Sequence, residues 1–146
     1  MLLRNVNGTI TEWLGQANGS FSWNAAASYG LDNSWHVAAT GDFNGDGHSD
    51  LLLRNIDGTV TEWLGQANGT FSWNAAATYS LDLAWNPTGI GDFNGDGRSD
   101  LLLRNGNILT EWLSHADGTF SWNAIATLDL AMSWQVQPNL GGAGIW

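Results

Sequence analysis

Apolar and polar residues alternate along this chain in a fixed order of short segments. LLLRN (51–55) is a brief continuous apolar run. TVTEWLGQ (59–66) mixes β-branched, aromatic and polar residues, and TFSWNAAATY (70–79) follows. Short runs of this kind bounded by turn residues predict strands. Asp57-Gly58 separates the first two and Asn68-Gly69 the next two, and such dipeptides predict hairpins. A fourth stretch, AWNPTGIGDF (84–93), leads onward. NAAASYGL (24–31) is rich in alanine, but a helix there is too short to stand alone and Gly30 interrupts it, so strand is the expectation.

The segments recur. LLRNVNGTITEWLGQANGSFSWNAAASY (2–29) returns at 52–79 and, one residue shorter, at 102–128. Trp13, Trp63 and Trp112 keep the period, as do Trp23, Trp73 and Trp122, and Trp35, Trp85 and Trp134. Four short strands in each unit of nearly fifty residues predict an all-β fold of β-propeller blades, each of four antiparallel strands, about three blades to the chain. Counted from acidic loop to acidic loop, blade 1 is 1–40, blade 2 is 41–90, and blade 3 with a C-terminal strand is 91–146.

Charge then narrows the partners. Fourteen acidic residues face only four cations, all arginine, for a net charge of −10. That balance repels nucleic acid and anionic lipid and attracts divalent cations. The absence of Cys excludes disulfides and thiolate metal sites. No apolar run is long enough to span a membrane as a helix, and MLLRNVNGT lacks the regions of a signal peptide.

The acids are concentrated in GDFNGDGHSD (41–50) and GDFNGDGRSD (91–100). Asp42, Asn44, Asp46 and Asp50 occupy loop positions 1, 3, 5 and 9, with Gly47 at 6 and the carbonyl of His48 at 7. The second loop repeats the set with Asp92, Asn94, Asp96, Gly97, the carbonyl of Arg98, and Asp100. Alternating oxygens around a glycine bend suit a hard cation taking six to eight oxygen ligands, which is Ca²⁺ rather than the stricter Mg²⁺. Position 12 of an EF-hand would be Glu; here it is Leu53 or Leu103, so the helix–loop–helix sensor is excluded. Turn chemistry alone explains Asp, Asn and Gly, but not acids at alternate positions. Two structural Ca²⁺ sites are expected, of weak affinity, roughly 10⁻⁴–10⁻³ M.

DFNGDGHSDLLLRN and DFNGDGRSDLLLRN, each followed by a glycine turn and an EWL strand, resemble the FG-GAP/VCBS repeats of integrin-like β-propellers. The resemblance implies blades with Ca²⁺ in the loop between two strands. It also implies a secreted or cell-surface protein serving adhesion or recognition. The chain departs from the pattern at its ends. Copy one starts at Met1, aligned with Leu51, without its loop, and copy three carries GGAGIW where DFNGDG would stand. Three blades fall short of the four to eight that close a propeller. SWQVQPN (133–139), counterpart of SWHVAAT (34–40), is expected to be a strand that completes another blade. Two chains paired head to tail would then give a six-bladed ring; a fragment of a longer repeat array is the other reading.

Other residues offer candidate chemistry. Trp23, Trp73 and Trp122, each in FSWN, are candidates for stacking on sugar rings, against a packing role; a lectin of the same fold is the alternative function. Trp13, Trp63 and Trp112 are expected to pack. Glu12, Glu62 and Glu111 are expected to face solvent or pair with Arg4, Arg54 and Arg104. Asn7, Asn18 and Asn68 fit glycosylation sequons but sit at expected turns. His36, His48 and His115 occupy different repeat contexts, and no nucleophile–base pair is visible, so a non-enzymatic module is expected. A non-catalytic domain of a secreted hydrolase is a third class. A surface protein or a glycan is the expected macromolecular partner.

Overall fold

The computed structural model describes residues 1–137 and contains eleven strands. They are β1 (Leu2–Arg4), β2 (Thr9–Gly15), β3 (Phe21–Gly30), β4 (Trp35–Gly41), β5 (Asp50–Asn55), β6 (Thr59–Gly65), β7 (Phe71–Ser80), β8 (Asn86–Gly91), β9 (Asp100–Asn105), β10 (Ile108–Ser114) and β11 (Phe120–Asp129). The strands form three sheets, β1-β2-β3, β4-β5-β6-β7 and β8-β9-β10-β11, and within each sheet chain neighbours pair antiparallel. This is the architecture of a partial propeller. The sheets part at 31–34 and 81–85, so β4 and β8, which precede the acidic loops, join the blades that follow them.

The hairpin glycines act as expected, with one refinement. Gly8 and Gly58 have φ of 92° and 94°, and their N–H groups donate to Asn5 O and Asn55 O, both at 3.0 Å. Each loop is therefore a turn closed by a left-handed glycine rather than a two-residue hairpin. A Cβ at Gly58 would also lie 2.3 Å from Leu81 O, so the position tolerates no side chain.

The alanine stretch is strand, broken by a bulge. Thr61 pairs with Thr78 but Glu62 with Asn74, so residues 75–77 are extra on β7. The same shift lies between Thr11 and Glu12 and between Leu109 and Glu111. The bulge buries Ala27 and Ala77 and sets an Asn opposite each Glu.

Strand alternation then decides the packing. Leu51 and Leu53 turn to blade 1, where they meet Ile10, with Tyr29, Trp63 and Phe71 around them. Leu52 and Val60 turn to blade 3, against Leu101, Leu103 and Phe120, with Phe43 closing the cluster. A strand covered on both faces reads as a continuous apolar run, which accounts for LLL. The core thus lies in the seams between blades. Of the segment expected as a C-terminal strand, residues 133–137 join no ladder among the described residues, and 138–146, including GGAGIW, lie outside them.

Candidate metal loops and the blade seams

Each acidic loop joins the first two strands of a blade and is rolled up by its own hydrogen bonds. The Asp42 carboxylate accepts from the N–H groups of Gly45 (2.8 Å), Asp46 (3.0 Å) and Gly47 (2.8 Å). Asn44 Oδ1 accepts from Asp46 N–H, and Asp46 Oδ1 from His48 N–H, both at 2.9 Å. Loop two repeats every bond: Asp92 takes Gly95, Asp96 and Gly97, Asn94 takes Asp96 N–H, and Asp96 takes Arg98 N–H. Gly45 and Gly47 reach φ of 78° and 85° to allow it. The His48 N–H and the Asn44 amide, which donates to Asp46 Oδ2 at 3.0 Å, hold Asp46 below the usual carboxylate range.

Position 9 stands apart. Asp50 is fully buried; it accepts Phe43 N–H on one oxygen and Gly65 N–H on the other, both at 2.8 Å. Burial pushes its carboxyl up. Asp100 likewise takes Phe93 N–H (3.1 Å) and Ser114 N–H (2.9 Å). These two acids tie the loop to the strand β6 or β10 end. The structure therefore brings Asn44 and Asp46, and Asn94 and Asp96, into contact beside Asp42 and Asp92. Among the described residues no three His, Asp or Glu side chains converge on one metal-sized point. The oxygen donors still match a hard cation in kind: at positions 1, 3 and 5 they are carboxylates and an amide, rolled onto one turn.

Consecutive loops touch. Ser99 N–H donates to Asp42 O (2.8 Å), and the Arg98 stem lies across Gly45, where a Cβ would come within 2.9 Å of Arg98 Cγ. The Arg98 guanidinium pairs with Asp96, and His48 Nδ1 lies 3.0 Å from Asp46 Oδ1.

The glutamates are a correction. Glu62 and Glu111 are buried and neither pairs with arginine. The bulge turns each toward its own Asn: Asn74 Nδ2 donates to Glu62 Oε2 (2.9 Å) and Asn123 Nδ2 to Glu111 Oε2 (2.7 Å). Arg54 lies across from Val60 and is drawn instead to the carbonyls of Trp85 and Asp82 in the inter-blade linker. Glu62 presses on the Asp117-Gly118 turn of blade 3, as Glu12 presses on Asn68-Gly69 of blade 2. Asn74 also donates to Asp117 O and Asn24 to Asn68 O. Glu12 Oε2 and Glu62 Oε1 are buried with no partner. Burial, against the Asn74 bond, pushes Glu62 up to about 8. This seam device was invisible in the sequence except as the constant Glu and Asn of EWL and FSWN.

The tryptophans divide by strand. Trp63 and Trp112 pack edge-on to Tyr29 (5.0 Å) and Tyr79 (5.2 Å) across the seams, while Trp13 is half-buried. Trp23, Trp73 and Trp122 on the outer strands are 59%, 64% and 62% exposed. Their indole N–H groups are pinned by Thr11, Thr61 and Thr110. Trp35, Trp63 and Trp73 line an open cleft of about 360 Å³; Trp85, Trp112 and Trp122 line its counterpart of about 240 Å³. The side chains of Asn7, Asn18 and Asn68 accept main-chain N–H groups two residues on, as turn residues do.

A family model described as FG-GAP-like repeat matches residues 1–53 and 42–103, the second match running from the first acidic loop through the second. No curated protein and no solved structure matches the chain.

Proposed function

The chain belongs to the FG-GAP-like repeat family, and on that premise we propose that it is a Ca²⁺-stabilised propeller module for extracellular adhesion or protein interaction. Repeats of this family are typically extracellular and serve as structural or interaction modules. Among the described residues no helix is long and apolar enough to cross a membrane. The observation that carries the reading is the pair of loops rolled by the same bonds at the same place in two blades. Asp42, Asn44 and Asp46, with the His48 carbonyl, would hold one ion; Asp92, Asn94 and Asp96, with the Arg98 carbonyl, the other. Asp50 and Asp100 would stiffen the loops from beneath. Bound Ca²⁺ would supply charge neutralisation and pin the connection between the first two strands of the blade. The test is thermal melting with millimolar Ca²⁺ and with chelator. Linkage raises the wild-type Tm in Ca²⁺, and Asp46→Ala/Asp96→Ala abolishes the rise. An unchanged wild-type Tm sinks the reading.

The exposed rings of Trp23, Trp73 and Trp122, each held at its edge by the indole N–H bond to a threonine, favour a second reading, a lectin that stacks pyranose rings in the seam clefts. Binding on a glycan array that is lost in Trp73→Ala would support it.

A further inference from the structure

We infer that the two end faces of this chain are the two halves of one further blade seam, and that their occupant is a second copy of the chain. The argument is continuity with the seams already present. In the seam between blades 2 and 3, Phe43 is fully buried and meets Phe120 edge-on at 5.2 Å. Its equivalent Phe93 is 46% exposed on blade 3. Phe21, the equivalent of Phe120 on blade 1, is 53% exposed. Gly69 and Gly118 are each filled by a glutamate and an asparagine from the preceding blade. Gly19 has nothing within 4 Å of a would-be Cβ, while Glu111 and Asn123 on blade 3 are already bonded in the arrangement that fills such a socket.

The strands complement each other as well. Among the described residues, nothing pairs with the free edge of β1. Residues 134–136 already lie where the first strand of a following blade belongs. Arg104 donates to Trp134 O as Arg54 does to Trp85 O, and a Cβ at Gly89 on β8 would lie 3.3 Å from Val136 Cγ1. Transferring the observed register, Val37 with Leu53 and His36 with Arg54, pairs Val136 with Leu3 of a second copy and Gln135 with its Arg4. Three strands from one chain and one from the other make a complete four-stranded blade. Two such contacts close a head-to-tail pair of six blades, within the range of closed propellers.

One residue makes this seam weaker than the others. Tyr29 and Tyr79 each clamp a phenylalanine main chain across their seams, but blade 3 has Leu128 at that position. Association is therefore concentration-dependent, and Leu128→Tyr strengthens it by about tenfold, one recovered hydrogen-bond pair.

The chain has no cysteine, so engineered ones report contacts cleanly. Leu3→Cys and Val136→Cys chains are mixed and oxidised, and light scattering follows mass against concentration. Expected are twice the chain mass, a disulfide joining the two variants, none with Leu2→Cys in place of Leu3→Cys, and a tighter pair in Leu128→Tyr. A stable monomer at high micromolar concentration overturns the inference. So does a disulfide joining Leu3→Cys chains to one another, which means edge-to-edge pairing of β1. Polymers of growing mass overturn the closed pair.

Discussion

The Tyr79 hydroxyl holds both main-chain groups of Phe120, accepting its N–H at 2.7 Å and donating to its carbonyl at 3.3 Å. One side chain of blade 2 thus pairs like a strand residue with the outer strand of blade 3. Tyr29 does the same to Phe71 one blade earlier. Asn24 and Asn74 add one bond each to the turn of the following blade, and most of the remaining contact is apolar and non-directional, so these few polar bonds set the register in which two blades meet.

Tyr79→Phe keeps the ring stacked on Trp112 and removes only the clamp. The Phe120 N–H loses its partner within the seam. A loss of about 1–3 kcal/mol is expected in urea unfolding. A loss near zero would mean that water replaces the hydroxyl.

Gly118→Ala is expected to be costly for two reasons. The residue has φ of 77°, and a Cβ would lie 2.3 Å from Glu62 Oε2 and 2.9 Å from Asn74 Nδ2. Gly106→Ala separates the terms, because Gly106 has φ of 57° and nothing within 4 Å. Left-handed strain alone costs about 1–2 kcal/mol. Gly118→Ala should exceed that, and equal losses would show that the seam yields.

Glu62 makes stability depend on pH. The groups facing it are the Asn74 amide and the carboxylates of Asp50 and Asp117, with Tyr79 nearby. Its folded carboxyl titrates near 8 against an ordinary 4.5. Between these values the folded state holds a proton that the unfolded state has lost. Stability is full below pH 4.5, falls as pH rises, and levels off above about 8, with a slope of at most about 1.4 kcal/mol per pH unit. Glu62→Gln should remove this slope and be the more stable protein at pH 9. Parallel wild-type and variant profiles would refute the assignment.

Asp50→Ala and Asp46→Ala should fail differently. Asp50 satisfies two main-chain N–H groups inside the blade, so its loss costs about 2–5 kcal/mol even in chelator. Asp46 is half-exposed, and its loss should lower the melting temperature mainly when Ca²⁺ is present. Similar losses in chelator would mean that position 9 is no more structural than position 5.

The sequence by itself determined what rests on near neighbours. Left-handed glycines at the hairpins and the N–H bonds from residues 45–48 to Asp42, Asn44 and Asp46 span two to five residues, so the printed order of side chains suffices to form them. Tertiary structure decided everything that depends on which blade covers which face. Leu3 and Leu53 stand in the same LLRN, yet Leu3 is exposed and Leu53 is buried, because blade 1 lies over Leu53 and no described residue covers Leu3. The same holds for the glutamate of EWL. Next to an arginine strand it reads as half of an ion pair. A three-residue bulge and the turn of the next blade instead bury it against an asparagine, and local spacing contains neither the bulge nor the neighbour.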